Sequence, residues 1–271
     1  MSFAIAGKTA IVTGAAKGIG LAIARQFVEK GANVMFADMD EARLSSELGD
    51  ALTDDGPIRM FGGDLREKLT IANLLSATID AFDRVDILVN ASRQMYATDP
   101  LDAEADGVEA LLEQNLLTSL RVSQQVARRM IAQSERDGAE QSGSAIGSII
   151  NISSIASRRT QPELMAYSIS CAALDQMTRS LAVALAPKRI RVNAIAFGSV
   201  MSTSLKEALK DHPEMRQEIR AHTPLERIAA PGELADAAQF LASEGAGFMT
   251  GQILTLDGGR SLLDAASAPV H

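Results

Sequence analysis

The chain has 271 residues, of which 46% are hydrophobic, and its formal net charge is −8 at pH 7. This length and composition predict one domain over residues 1–271, and the acidic balance argues against nucleic acid or an anionic membrane as a partner. One cysteine excludes an internal disulfide, and the absence of a long apolar run or a signal-peptide pattern predicts a cytoplasmic protein.

The chain opens with a pattern of strand, glycine-rich turn and helix. An apolar run over residues 8–12 precedes the turn Thr13–Gly20, and apolar residues at helical spacing follow it. Glycines let the backbone approach a pyrophosphate, while the amides and the positive end of the helix attract its charge. The sequence therefore predicts a dinucleotide site. Its predicted contacts in the turn are Gly14, Lys17, Gly18, Ile19 and Gly20.

Asp38 lies at the tip of the second predicted strand, which covers residues 33–37. A carboxylate at this place can accept hydrogen bonds from both hydroxyls of the adenosine ribose, and it repels a 2′-phosphate. Lys17 argues the other way, because a basic residue in the turn could pair with that phosphate. Asp38 has the greater weight because its clash with a phosphate would be direct. The sequence therefore predicts NAD rather than NADP as the cofactor.

Strands alternate with helices along the rest of the chain, which predicts an α/β fold with a Rossmann-like, doubly wound parallel sheet. About seven strands are expected, with helices on both faces; the later ones cover residues 58–63, 85–91, 148–153, 190–196 and 252–256. A stripe of apolar residues predicts one long helix between the fourth and fifth strands. The stripe consists of Val108, Leu111, Leu112, Leu116, Leu120, Val126 and Met130. The polar stretch 133–147 predicts a surface loop, and the charged segment 198–224 predicts a substrate lid.

Several motifs stand in a fixed order along nearly the whole chain. They are the Thr-Gly-x3-Gly-x-Gly turn at residues 13–20, Asp64 after the third strand, Asn115 in the long helix, Ser154, Tyr167 and the closing Asp257-Gly258-Gly259. In these motifs the chain resembles the short-chain dehydrogenase/reductase family. The resemblance implies an oxidoreductase that transfers a hydride between a dinucleotide and a secondary alcohol or ketone.

The resemblance also assigns roles to single residues. It gives proton transfer to Tyr167, the holding of the substrate oxygen to Ser154, and the anchoring of a relay water to Asn115. Ser154 is preferred to Ser153 because thirteen residues separate it from Tyr167, as the family pattern requires. Further cofactor contacts are implied at Asp64, Leu65, Asn90, Ala91, Tyr167 and Gly198. Relatives pair through two helices, which implies a homodimer or homotetramer built on residues 104–131 and 165–186.

Three positions near these residues depart from the family pattern. Cys171 stands four residues after Tyr167, where the family has a lysine that lowers the pKa of the tyrosine and binds the nicotinamide ribose. A neutral thiol supplies no such charge, and losing a shift of about three pH units corresponds to about 4 kcal/mol, or about a thousandfold in rate. Arg93 replaces a glycine after the fourth strand, and Phe197 replaces a proline after the sixth.

These departures leave alternatives open. The side chain of Arg93 either points to solvent in a protein that has lost catalysis, or swings towards the nicotinamide ribose and replaces the charge of the lysine. The chain is then either an NAD-dependent oxidoreductase with weakened catalysis or a dinucleotide-binding protein with a regulatory or scaffold role. For Cys171 a packing role is favoured over a reactive one, since the chain has no second cysteine. No metal site is predicted, because His212, His222 and His271 lack metal-ligand spacing.

Overall fold

A computed structural model describes residues 3–53, 55–138 and 144–264, and these form one seven-stranded parallel sheet. The strands are β1 (Thr9–Thr13), β2 (Asn33–Asp38), β3 (Ile58–Gly62), β4 (Ile87–Asn90), β5 (Gly147–Ser154), β6 (Ile190–Phe197) and β7 (Ile253–Leu256). Their order in the sheet is β3-β2-β1-β4-β5-β6-β7. The predicted Rossmann-like sheet is confirmed, and each strand begins and ends within two residues of its predicted limits.

Helices cover both faces of this sheet. They are α1 (Gly18–Glu29), α2 (Glu41–Leu48), α3 (Lys68–Phe82), α4 (Val108–Leu111), α5 (Thr118–Arg136), α6 (Met165–Leu185), α7 (Thr203–Asp211), α8 (Glu214–Ala221) and α9 (Pro231–Ala242). On one face α1, α2 and α9 pack apolar side chains such as Phe27 and Leu234 against the strands. On the other face α3, α5 and α6 do the same, with Leu74 and Val126 buried. Parallel strands enclosed in this way carry apolar residues on both sides, as the buried run Val34–Ala37 of β2 shows.

A π-helical turn at Leu112–Leu117 separates α4 from α5, where one continuous helix was predicted. Such a turn carries an extra residue, and it shifts the side of the helix that faces the core. Asn115 is therefore buried. Of the predicted stripe, Leu111, Val126 and Met130 are buried, while Val108, Leu112, Leu116 and Leu120 are half-buried. The prediction of one continuous helix was wrong at this turn.

The surface loop predicted over residues 133–147 begins later than expected, because α5 continues to Arg136. Gln133 explains the extension. Its side chain accepts a hydrogen bond from the amide of Val85 at 3.0 Å and donates one to the carbonyl of the same residue at 3.3 Å. Gln133, whose polarity suggested a loop, is thus buried and hydrogen-bonded to the backbone of Val85, two residues before β4. Residues 139–143 of the predicted loop lie outside the described residues.

The segment 198–224 follows β6 at the carboxyl edge of the sheet. It carries α7 and α8, and within the described structure none of its residues belongs to a strand of the sheet. Leu209 is buried, while Met201 and Leu205 are half-buried. The segment therefore stands beside the edge at which open α/β sheets bind their ligands.

Candidate active site

The carboxyl ends of β1, β4, β5 and β6 lie together at one edge of the sheet. Ligands of open α/β proteins bind at this edge, next to the point where the order of the strands reverses. In this chain the reversal lies between β1 and β4. The glycine turn, the loop after β4, the end of β5 and the first turn of α6 meet there and bring the predicted site residues together.

The glycine turn between β1 and α1 is closed on one side and open on the other. Gly14 has a φ of +67°, and a Cβ at this position would lie 2.6 Å from the carbonyl oxygen of Ala91. Gly20 packs against the backbone of Gly14 in the same close manner. Gly18 has a φ of +59°, but the nearest atom to a Cβ there would be 3.9 Å away. The turn therefore packs tightly on the chain after β4 and leaves space in front of α1.

The first turn of α1 presents its backbone amides to this space. Lys17 occupies the N-cap position without supplying a side-chain acceptor, and the first turn contains no acidic residue. The side chain of Lys17 is exposed, whereas Ile19 and Gly20 are buried. Uncapped amides and the positive end of a helix attract phosphate. These residues therefore fit the pyrophosphate of a dinucleotide.

Asp38 lies directly against the glycine turn. Its Oδ2 accepts a hydrogen bond from the amide of Ala16 at 3.1 Å, and its Oδ1 accepts one from the amide of Asp40 at 3.1 Å. The side chain is half-buried. These bonds fix the carboxylate beside the turn while part of it remains accessible, which fits the adenosine ribose of the same dinucleotide.

Three other predicted cofactor residues have protein partners or are enclosed. Asp64 forms a salt bridge with Arg66 of 2.6 Å, and the hydrogen bond from that arginine lowers the pKa of Asp64. Leu65 is buried. The Asn90 side chain is also buried and donates to Oδ1 of Asn151 at 2.8 Å, so it joins β4 to β5. Their contacts with a cofactor remain predictions.

The chain after β4 is held close to the glycine turn, and the end of β6 is held against β7. Oγ1 of Thr13 accepts hydrogen bonds from the amides of Ala91 and Ser92, each at 3.1 Å. Gly198, at the end of β6, donates its amide to the carbonyl of Leu256 at 2.9 Å. The predicted contact Ala91 therefore lies against the turn, whereas Gly198 is bonded to β7, and the contacts of both with a cofactor remain predictions.

Tyr167 lies in the first turn of α6 and is 2% exposed. The guanidinium of Arg93 donates a hydrogen bond to its hydroxyl, and Cζ of that arginine lies 5.6 Å from the centre of its ring. Burial raises the pKa of Tyr167 to about 12, while the charge of Arg93 and a hydrogen bond with Ser154 oppose the rise. Of the two orientations considered for Arg93, the structure shows the one directed into the site.

Ser153 and Ser154 point to opposite sides of β5, as neighbouring residues of a strand do. Ser153 donates a hydrogen bond to the carboxylate of Asp175 at 2.6 Å within the helix layer. Oγ of Ser154 accepts one from the amide of Ala156 at 3.2 Å, and its side chain lies near enough to Tyr167 to lower the pKa of the phenol. Of the two serines, Ser154 therefore stands on the side of the phenol.

Asn115 lies on the π-helical turn and is buried. Its side chain accepts from the amide of Gln94 at 2.8 Å, donates to the carbonyl of Gln94 at 2.9 Å, and donates to Oγ of Ser170 at 3.0 Å. A cavity of about 10 Å³ lies next to it and also borders Tyr167 and Cys171. This volume is close to the least that holds one water molecule.

Cys171 lies one helical turn after Tyr167 and is 3% exposed. It packs in a small apolar cluster that includes Leu111 and Ala166. Burial raises the pKa of the thiol, so the group is neutral at pH 7. The positive charge next to the phenol therefore comes from Arg93 and not from residue 171.

Two residues contribute to the site in a way that the sequence did not reveal. Thr13 was part of the turn motif, but its hydroxyl also fixes the chain after β4. The ring of Phe197 lies against the guanidinium of Arg93, with Cζ 4.3 Å from the ring centre. Phe197 was visible as a departure from the family pattern. Nothing in the sequence placed it beside Arg93, because the two residues belong to distant parts of the chain.

Neither a membrane-spanning helix nor a metal centre is found in the part of the chain that the structure describes. No helix there is both long and apolar enough to cross a membrane. In the same described ranges, no three His, Cys, Asp or Glu side chains are grouped so that they could hold a metal ion.

The sequence matches known proteins along nearly its whole length. Residues 14–261 match the family model described as enoyl-(acyl carrier protein) reductase. The 7α-hydroxysteroid dehydrogenase of Escherichia coli is 33% identical over 260 residues, which cover 93% of this chain and 94% of that protein.

Solved structures extend the match to the fold. A 7α-hydroxysteroid dehydrogenase in complex with NADH and 7-oxo glycochenodeoxycholic acid has a TM-score of 0.85 and 31% identity, covering 95% of this chain and 96% of its own. A gluconate 5-dehydrogenase from Burkholderia cenocepacia in complex with NADP and tartrate has a TM-score of 0.85 and 29% identity, covering 97% of this chain and 98% of its own. Family model, relatives and fold agree, and the chain belongs to the short-chain dehydrogenase/reductase family.

Proposed function

We propose that this chain is an oxidoreductase that transfers a hydride between NAD(H) and a secondary alcohol or ketone, at a rate lowered by the thiol at the family's lysine position. The contact between Arg93 and the hydroxyl of Tyr167 carries the proposal. A buried phenol needs a nearby positive charge to release its proton, and Arg93 is placed to supply it. Relatives named as dehydrogenases support the class of reaction.

Four side chains would share the proton chemistry. The dinucleotide, when bound, supplies or accepts the hydride. The hydroxyl of Tyr167 exchanges a proton with the substrate oxygen, which Ser154 holds by a hydrogen bond. Arg93 stabilises the phenolate by its charge and takes the role of the missing lysine. Asn115 fixes the backbone next to Arg93 and borders the cavity in which a relay water fits.

Asp38 supports NAD rather than NADP as the cofactor. Its carboxylate is fixed beside the glycine turn, where a 2′-phosphate would meet a like charge. The two solved relatives hold NADH in one case and NADP in the other, so the preference rests on this residue of the chain itself. The exposed Lys17 would be the partner of a 2′-phosphate if the preference were reversed.

We expect residues 1–271 to form one domain in which the segment 198–224 acts as the substrate lid. Its apolar side chains Met201, Leu205 and Leu209 are buried or half-buried beside the carboxyl edge of the sheet. A lid of this composition fits a substrate with an apolar body around the reacting alcohol.

We also expect a cytoplasmic homodimer or homotetramer whose contacts lie in residues 104–131 and 165–186. The apolar side chains of Ile169 and Val183 are exposed on α6, as an interface helix requires. The negative net charge argues against nucleic acid as a partner.

A second candidate is a dinucleotide-binding protein without turnover, in a regulatory or scaffold role. The buried state of Tyr167 favours it. With a pKa of about 12, roughly one phenol in a hundred thousand is ionised at pH 7. Both candidates use the same glycine turn, so binding of a dinucleotide does not separate them.

A cofactor titration followed by restoration of the lysine tests the proposal. NADH should bind more tightly than NADPH in calorimetry. In a screen of secondary alcohols and ketones, Cys171→Lys should increase turnover by up to about a thousandfold. Cys171→Met, which fills the position without a charge, is the matched control and should give no increase. Binding of NADH without turnover in any variant would favour the second candidate, and failure to bind any dinucleotide would overturn both.

A further inference from the structure

Two of the residues that depart from the family pattern contact each other. Arg93 follows β4 and Phe197 ends β6, yet Cζ of the arginine lies 4.3 Å from the centre of the phenylalanine ring. The same guanidinium donates a hydrogen bond to the hydroxyl of Tyr167. One cation therefore bridges an aromatic ring and the phenol.

The ring of Phe197 has a fixed position in the sheet. The residue is 6% exposed, and it is paired with Ser154 of β5 on one side and with Leu256 of β7 on the other. Its carbonyl accepts a hydrogen bond from Oγ of Ser154 at 3.5 Å. The face of an aromatic ring attracts a guanidinium. A ring fixed between two neighbouring strands therefore offers the cation a defined place.

The backbone on both sides of Arg93 is fixed as well. The amide of Ser92 donates to Oγ1 of Thr13 at 3.1 Å. The amide and carbonyl of Gln94 are both bonded to the side chain of Asn115. The backbone of Arg93 is thus fixed by its neighbours. These contacts do not fix the direction of its guanidinium.

Within the described structure, no carboxylate forms a salt bridge with Arg93. Its Cζ lies instead 4.3 Å from the centre of the Phe197 ring and 5.6 Å from the centre of the Tyr167 ring. A carboxylate partner would compete with the phenolate for the cation, whereas an aromatic face attracts the cation without neutralising it. The Phe197 ring therefore orients the charge and leaves it available to Tyr167.

We propose that Phe197 is a positioning residue whose ring holds the guanidinium of Arg93 at the hydroxyl of Tyr167. Arg93, after β4, and Phe197, at the end of β6, then act together. They supply the positive charge that the family has on a lysine at position 171 of α6. This inference rests on the proposed role of Arg93. It concerns how the cation is held, and it can be tested without a cofactor or a substrate.

The composition of the chain allows the phenol to be observed directly. The sequence contains 2 tyrosines and no tryptophan, so Tyr96→Phe leaves Tyr167 as the single tyrosine. Incorporation of 3-fluorotyrosine into this protein gives one fluorine signal, whose chemical shift reports ionisation of residue 167. The ring fluorine also lowers the pKa of the phenol, so the titration is reached at lower pH than with tyrosine. All variants are compared in this background by fluorine NMR.

Phe197→Leu should raise the pKa of Tyr167 by about one pH unit or more, because the stabilising cation is no longer held at the phenol. Arg93→Met should raise it at least as much. In the Arg93→Met protein, Phe197→Leu should add nothing, since the ring acts through the cation. Phe36→Leu removes a fully buried ring from β2 and should leave the pKa of Tyr167 unchanged.

Three results would overturn the inference. They are an unchanged pKa in Phe197→Leu, an equal rise when Arg93 is already absent, and an equal rise in Phe36→Leu. Circular dichroism verifies that each variant is folded. If Phe197→Leu does not fold, Phe197→Met replaces it as a second variant without the ring. A protein that fails to bind NADH but shows the coupled pKa changes would retain this inference and lose the proposed function.

Discussion

At the scale of single residues, burial and one cation act on Tyr167 in opposite directions. Burial raises its pKa to about 12 even with Arg93 at its hydroxyl. In the proposed reaction alcohol oxidation uses the phenolate as base, so the oxidation rate should rise about tenfold per pH unit from pH 7 to pH 10 without a plateau. Ketone reduction uses the neutral phenol as acid and should not rise in this range. Initial rates in both directions measure this, and a plateau of oxidation below about pH 9 would contradict it.

A second prediction for a single residue concerns cofactor choice. Asp38→Asn keeps an oxygen that can accept the hydrogen bond from Ala16 and removes the charge that repels a 2′-phosphate. The ratio of NADPH to NADH affinity should increase about tenfold or more, which is about 1.4 kcal/mol. Asp40→Asn removes a neighbouring exposed charge that caps α2 and serves as the control. If calorimetry gives the same ratio in wild type and Asp38→Asn, the carboxylate does not select the cofactor.

The resemblance to the family pointed to Tyr167, and the thirteen-residue spacing of the family pattern chose Ser154 over Ser153; their catalytic roles remain predictions. The sequence left the direction of Arg93 open. That direction depends on Phe197, whose ring lies on another strand. Contacts between distant segments of the chain follow from packing, which local patterns do not encode.

At the scale of elements, the glycine turn yields a test with a matched control. Gly18→Ala places a methyl group at a φ of +59° in front of α1, at a strain of about 1–2 kcal/mol. The methyl occupies the approach to the free amides, so NADH affinity should fall about tenfold or more. Gly7 has a φ of +74°, and a Cβ there would meet no atom of a non-neighbouring residue within 4 Å. Gly7→Ala should therefore lower stability similarly without changing NADH affinity.

Thermal unfolding and calorimetry on these two variants separate strain from binding. Equal NADH affinity in Gly18→Ala and wild type would show that α1 does not hold the pyrophosphate. Loss of affinity in Gly7→Ala would show that strain alone, and not the position of the methyl group, disturbs the site.

The strands were predictable because enclosed parallel strands are rich in apolar residues and are followed by turn residues. The π-helical turn at Leu112–Leu117 was not. Its residues suit a regular helix, and the irregular turn is accompanied by the buried polar contacts of Asn115 with Gln94 and Ser170. A stripe of apolar residues cannot show where such contacts shift its register.

At the scale of the whole molecule, assembly is the property to test. Wild-type protein should sediment as a dimer or tetramer. Val183, on the proposed interface helix α6, is 77% exposed in the single chain, and Val183→Asp should shift the population towards monomer because a buried charge opposes association. Leu69→Asp, at a position 72% exposed on α3, is the control and should not change it. A monomeric wild-type protein in analytical ultracentrifugation would contradict the proposed assembly.

The placement of the cation on a different element from the phenol has a consequence for heat resistance. A lysine one turn along the same helix would keep its distance from Tyr167 as long as that helical turn exists. Here the distance depends on how the loop after β4 packs against the end of β6. Loosening of these strand ends would separate charge and phenol while α6 is still helical. The proposed proton transfer therefore depends on tertiary packing, and on warming we expect it to fail before the secondary structure melts.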